Sequence, residues 1–228
     1  MRISKKARKR KKKLQMKNKR LIKKYYWLMP RNVYSGQILK DFDYTWVDWG
    51  VCKGWSKAYG DMYLKELGAA VEEAGIKDFM ILQEKEKFGM HRMYVNHHTE
   101  KIKRIIDKYE VISQNICMDC GREAPMIDDG YMNPMCLRCF IKYYKRREAW
   151  ILEHHPEKSP ASDEDIIARY QSVICGNPNK DGTWLSNTYT MRTFSKDGNK
   201  DITYDISDTV KKIRDRQSKW IKVPYVTR

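Results

Sequence analysis

Four cysteines constrain this chain more than any other feature. Cys117, Cys120, Cys136 and Cys139 form a C-x2-C-x15-C-x2-C pattern. Two residues between cysteines let one tight turn aim both sulfurs at a single point. Two such turns complete a tetrahedral four-thiolate shell of the kind zinc prefers. Gly121, directly after Cys120, suits the turn because it tolerates a left-handed backbone. Two disulfides or four ordinary buried thiols would use the same residues. The expectation is one structural zinc ion, and a closed four-sulfur site supports folding rather than catalysis.

Charge is the second constraint. Residues 1–24 contain ten lysines, four arginines and no acid. Fourteen of the net +17 charges therefore sit there, and about three remain for the other 204 residues. A block of like charge repels itself and reads as an arm that contacts polyanions. Its candidate phosphate-contacting residues are Lys5, Lys6, Arg8, Lys9, Arg10, Lys11, Lys12, Lys13, Lys17, Lys19 and Arg20. A thin apolar stripe (Ile3, Ala7, Leu14, Leu21, Leu28) would allow a helix once those charges are neutralised. No apolar run approaches the ~20 residues needed to span a bilayer, and no apolar core follows the leading basic residues as in a secretory signal. Cysteines in metal spacing suit a reducing cytoplasm. Cys52 and Cys175 read as small buried residues.

Residues 25–55 are dense in aromatics, among them Trp27, Tyr34, Trp46 and Trp55. They read as a segment packed on the body or as a surface on which bases stack. Apolar spacing then predicts a helix over 56–75, strands over 79–85 and 90–95 joined at Lys87-Phe88-Gly89, and a helix over 100–112 capped by Thr99. After the cysteine unit, a helix over 137–153 carries Lys142, Lys145, Arg146 and Arg147, four further candidates for phosphate contact. Helices over 163–174 and 208–219 flank a hairpin over 188–206 that turns at Lys196-Asp197-Gly198-Asn199. Ser162 and Ser207 are the expected caps. The fold expected is α+β: a helix–β-hairpin–helix core with a four-cysteine knuckle or ribbon, a basic N-terminal arm and a small C-terminal αββα section. The boundaries fall at 1–28 for the arm, 29–155 for the core with its zinc unit at 113–142, and 156–228 for the C-terminal section.

Gly54-Trp55, Gln83-Glu84-Lys85-Glu86-Lys87-Phe88-Gly89, Arg92 with Tyr94, Ser113, Cys117-x-x-Cys120-Gly121 and Cys136-x-x-Cys139 together resemble a group of uncharacterised tailed-bacteriophage and prophage proteins. The resemblance covers about residues 50–140. It implies a metal-bound domain expressed in the bacterial cytoplasm, and no activity.

Catalytic constellations are sparse. An HNH-type nuclease would need a histidine base within or near the cysteine unit. The insert GREAPMIDDGYMNPM has none, and His91, His97, His98, His154 and His155 all lie outside it. The charges Glu84, Lys85, Glu86, Lys87 and Arg92 read as cross-strand ion pairs or as a polar site. The expectation is a non-enzymatic, zinc-containing protein that binds DNA or RNA. An effector that binds a host protein or defence complex, in the manner of an anti-CRISPR inhibitor, is the alternative.

Overall fold

A computed structural model describes residues 19–29, 31–32, 34–35, 37–38, 52–195 and 198–220. The arm candidates Lys5, Lys6, Arg8, Lys9, Arg10, Lys11, Lys12, Lys13 and Lys17 lie outside the described residues, as do Trp46, Lys196 and Asp197. The chain is a mixture of helix and strand built around two apolar clusters.

The main core starts earlier than the 1–28 arm boundary allows. Residues 19–24 are helical, with Lys19 and Arg20 exposed and Leu21 and Ile22 turned toward the core. Tyr25, Trp27 and Leu28 are buried in it. Trp27 meets Phe79 edge-on at 5.5 Å between ring centroids, so it is not a stacking platform. Gly68 admits the Tyr25 ring, which would lie 2.5 Å from a Cβ at that position.

A short turn of helix, Lys53–Trp55, runs through a π-helical turn, Ser56–Gly60, into α1, Asp61–Glu73. Tyr63, Leu64, Leu67, Ala70 and Val71 form its buried stripe, at the spacing of one helix face. The hairpin β1 (Ile81–Lys87) and β2 (Met90–Val95) follows. Phe88 and Gly89 make its turn, with φ of 52° and 75°. Positive φ at both central residues matches the twist of the strands, and it is unusual for a phenylalanine. Helix α2, Glu100–Ser113, opens on Thr99, whose hydroxyl accepts from the Ile102 amide at 3.2 Å. Its buried face, Ile102, Ile106, Tyr109, Ile112 and Ser113, closes the core.

Beyond the cysteines the chain departs from expectation in two places. Residues 126–134 form two short strands, β3 (Met126–Asp128) and β4 (Met132–Pro134). After α3 (Leu137–His154) and α4 (Asp163–Ser172), the strand β5 (Ile174–Cys175) adds to the other edge of β3. The helix expected over 163–174 thus ends two residues early, because Val173 O accepts from the Asp128 amide and Ile174 pairs with Ile127. The second departure is the C-terminal section. Ile166, Tyr170 and Val173 pack with Ile127 and Phe140 in the smaller cluster. By contrast, Leu185, Tyr189 of β6 (Thr188–Ser195), and Ile206, Val210 and Ile213 at and within α5 (Ser207–Ser218) belong to the main core. β7 (Gly198–Asp205) completes the hairpin, in register from Thr188↔Asp205 to Ser195↔Gly198.

Ser162 caps α4 in a reciprocal capping box with Asp165. Ser207 does not cap α5: it is the first helical residue, and its amide and hydroxyl both donate to Asp205. Among the described residues no helix is long and apolar enough to cross a membrane.

Candidate metal centre and basic helix face

The two cysteine pairs converge. The four sulfurs lie within 4.8 Å of one another, and Cys117, Cys136 and Cys139 are buried. Cys120 Sγ and Cys136 Sγ are 3.6 Å apart, far beyond the ~2.05 Å of a disulfide. A tetrahedral shell with metal–sulfur bonds near 2.3 Å has edges of about 3.8 Å. The spacing therefore fits four thiolates around one metal ion.

Backbone hydrogen bonds shape the first turn. The Gly121 amide donates to Cys117 O at 2.9 Å, and Cys117 N donates to Arg122 O at 2.7 Å. Met118 N donates to Pro134 O at 3.0 Å, tying this turn to β4. The second turn is the start of α3. Cys136 is its N-cap residue, and Cys139 N and Phe140 N both donate to Cys136 O, at 2.9 and 3.0 Å. Whatever holds the sulfurs together also fixes the first turn of this helix.

The Gly54-Trp55 pair clamps the unit from behind. Gly54 N donates to Met118 O at 2.7 Å, and the Trp55 indole donates to Ile116 O at 2.8 Å. Gln217 of α5 donates to Gly121 O at 2.9 Å. Segments far apart in sequence therefore converge on one turn.

Helix α3 buries little. Cys139 and Phe140 are its buried residues, and the rest of its inner face is only partly covered. Arg138, Lys142 and Arg146 are exposed at four-residue spacing and form one stripe. Tyr143, Arg147, Trp150 and His154 form the stripe beside it. Tyr143 is 46% exposed and Trp150 60%, and the Trp150 ring stacks on His154 with centroids 4.4 Å apart. Lys145 is bound to Asp163 at 2.5 Å, so of the four basic candidates on this helix it is the one already neutralised. Among the described residues, Arg138, Lys142, Arg146 and Arg147 have no acidic partner. Arg138 was not among the sequence candidates because it sits inside the second CxxC. Its four-residue spacing to Lys142 is the signal that places it with them. One acid, Glu153, closes the face at its C-terminal end.

A second polar cluster lies at the hairpin, where the charges were expected to form cross-strand ion pairs or a polar site. The hairpin charges do not pair with one another. Lys85 lies opposite Arg92, Arg92 reaches Glu110 on α2 at 2.6 Å, and Glu86 accepts from the Gly89 amide at 2.6 Å and from the Tyr131 hydroxyl. Cross-strand ion pairing fails because the strand register sets like charges opposite and the helix supplies the acid. Glu84 is turned inward against His91 Nε2. The other imidazole nitrogen, Nδ1, is 3.2 Å from the Tyr59 hydroxyl, and Trp55 stacks on the ring at 5.3 Å. Burial holds the Glu84 carboxyl well above the usual carboxylate range and pushes the His91 imidazole down to about 3. Glu84 Oε2 is buried with no hydrogen-bond partner. A neutral acid leaves that orphan far more cheaply than a carboxylate does. Burial thus favours the uncharged form of both groups, with the Glu84 carboxyl against Nε2 and the Tyr59 hydroxyl against Nδ1.

No protein-family model matches this chain, and neither a curated protein nor a solved structure matches it.

Proposed function

We propose that this chain is a zinc-containing protein that binds nucleic acid without catalysing a reaction on it, and that the exposed face of α3 is its contact surface. One observation carries the reading. A stripe of arginine and lysine with no acidic partner among the described residues runs beside a stripe of exposed aromatic rings, on a helix whose first turn holds two of the four clustered cysteines. Cations at that spacing neutralise phosphates and release counterions, and exposed rings stack on unpaired bases. The metal's part is to fix the direction of the helix. Four thiolates at this separation suit zinc, which tolerates tetrahedral sulfur ligation without redox chemistry.

The composition of residues 1–24 supports the same reading independently of the fold, since fourteen cations without an acid form a single-sign field. The buried Glu84–His91 pair supports binding over catalysis. Trp55, Tyr59 and Tyr63 pack around the imidazole, so this acid and base face the core instead of a substrate.

The test is a triple substitution, Arg138→Ala, Lys142→Ala and Arg146→Ala, in the full chain. Affinity for single-stranded DNA and RNA should fall. The slope of log affinity against log salt should drop by roughly two to three. Unchanged affinity and slope would remove α3 from the interface.

A further inference from the structure

Beside the basic face lies a cleft with a different character. Helix α3, the loop over 155–161, α4 and the β3–β4 turn enclose about 420 Å³. Tyr144, Ile151, Leu152 and Ala161 supply apolar wall, and Arg147, Lys158 and Arg169 supply cations. The two acids in the lining are already engaged. Asp129 Oδ1 accepts from Arg169 Nε at 3.0 Å, and Glu148 Oε1 accepts from the Ala161 amide at 2.5 Å, which pins the loop across the cleft. Arg147 and Lys158 have no acidic partner among the described residues.

We infer that this cleft receives one nucleotide of a single-stranded nucleic acid, its base against the apolar wall and its phosphate between Arg147 and Lys158. The inference rests on the nucleic-acid reading of α3 and names what part of the strand the helix delivers. Three features select a nucleotide. Two uncommitted cations call for an anion, and a guanidinium grips phosphate oxygens in pairs. An apolar wall with an aromatic ring calls for a flat, weakly polar group joined to that anion. The volume holds one such unit and is too small for a base pair within a duplex. Arg147 also belongs to the stripe with Tyr143 and Trp150, so a strand lying on those rings passes the mouth of the cleft.

The experiment uses the full, metal-loaded chain with methyl labels that report on Ile151, Leu152 and Ala161. Nucleoside 5′-monophosphates should shift these signals, and inorganic phosphate should do so at least about tenfold more weakly. Arg147→Ala with Lys158→Ala should abolish the shifts and lower affinity for a short single strand about tenfold or more, with a smaller loss for duplex. Both side chains are exposed, so the fold is not at stake.

Several results would overturn the inference. One is an absence of cleft shifts at roughly 10 mM monophosphate, with strand binding lost in the Arg138/Lys142/Arg146 variant and kept in the Arg147/Lys158 variant. That outcome leaves the α3 reading standing. Equal shifts from inorganic phosphate would remove the base from the proposal. Mononucleotide binding by a wild-type chain that binds no strand at low salt would overturn both the strand and the α3 reading.

Discussion

Gly54 and Gly121 meet backbone to backbone. A Cβ on Gly121 would stand 2.5 Å from Gly54 O, and one on Gly54 would stand 2.6 Å from Gly121 N. Neither position admits a side chain, and the cysteine turn is seated by this contact. Gly121 also holds φ at +77°.

Gly121→Ala should therefore cost at least about 2 kcal/mol, combining left-handed strain with displacement of the Gly54 backbone. Gly130 is the control. It has φ of +83° and open space around its Cβ position, so Gly130→Ala carries strain alone, about 1 kcal/mol. Urea unfolding of both variants measures the difference. Equal losses would mean that the Gly54 contact contributes nothing.

The Glu84–His91 pair makes stability depend on pH from both sides. Glu84 has a folded pKa raised above its ordinary 4.5. Its contribution is full below about 4.5 and is lost as pH rises toward the folded value. His91 has a folded pKa lowered from 6.5 to about 3. Its contribution is full above 6.5 and is lost as pH falls toward 3. Glu84→Gln keeps a donor to His91 and removes the ionisation. The variant should gain on the wild type as pH rises from 5, by up to about 1.4 kcal/mol per pH unit until the Glu84 folded pKa is passed. Denaturation at pH 5, 6, 7 and 8 checks it. Parallel pH profiles would show that Glu84 is ionised in the fold.

Metal removal should loosen the helix as well as the turn. One zinc per chain is expected by elemental analysis. Cys117→Ser should lose it and at least about 3 kcal/mol, roughly 6–12 °C in Tm for a chain of this length. Amide exchange should rise through the first turn of α3, where Cys139 and Phe140 bond to Cys136 O. A chain that keeps its Tm after chelation would overturn the role given to the metal.

Trp150→Ala tests the aromatic stripe apart from the charges. Single-strand affinity should fall by about 1–3 kcal/mol, while duplex affinity changes little. Fluorescence anisotropy with both probes separates the two. An equal loss on both would mark Trp150 as a scaffold for α3 instead of a stacking surface.

Much of the local structure was legible in residue spacing. The Thr99 and Ser162 caps, the helices α1 and α2, and the hairpin at Phe88-Gly89 follow from helical and strand periods together with turn chemistry. The convergence of the four sulfurs was legible for the same reason, because two CxxC turns can reach one point. Strands β3, β4 and β5 were not legible. They are two or three residues long, too short to show a period; β3 and β4 pair with each other across a tight turn, and β5 reaches β3 only from beyond a helix pair.

By itself, the sequence determined the cysteine spacing, the concentration of charge before residue 25 and the helical phase that lines up Arg138, Lys142 and Arg146. These are one-dimensional properties, set by rise and turn per residue. Only the tertiary structure decided that Glu84 turns inward to His91, that Lys145 is neutralised by Asp163 while its basic neighbours have no acidic partner among the described residues, and that Gly54 seats Gly121. Each depends on which segments distant in the chain are brought together. That choice is made by burying apolar surface, which spacing along a chain does not encode.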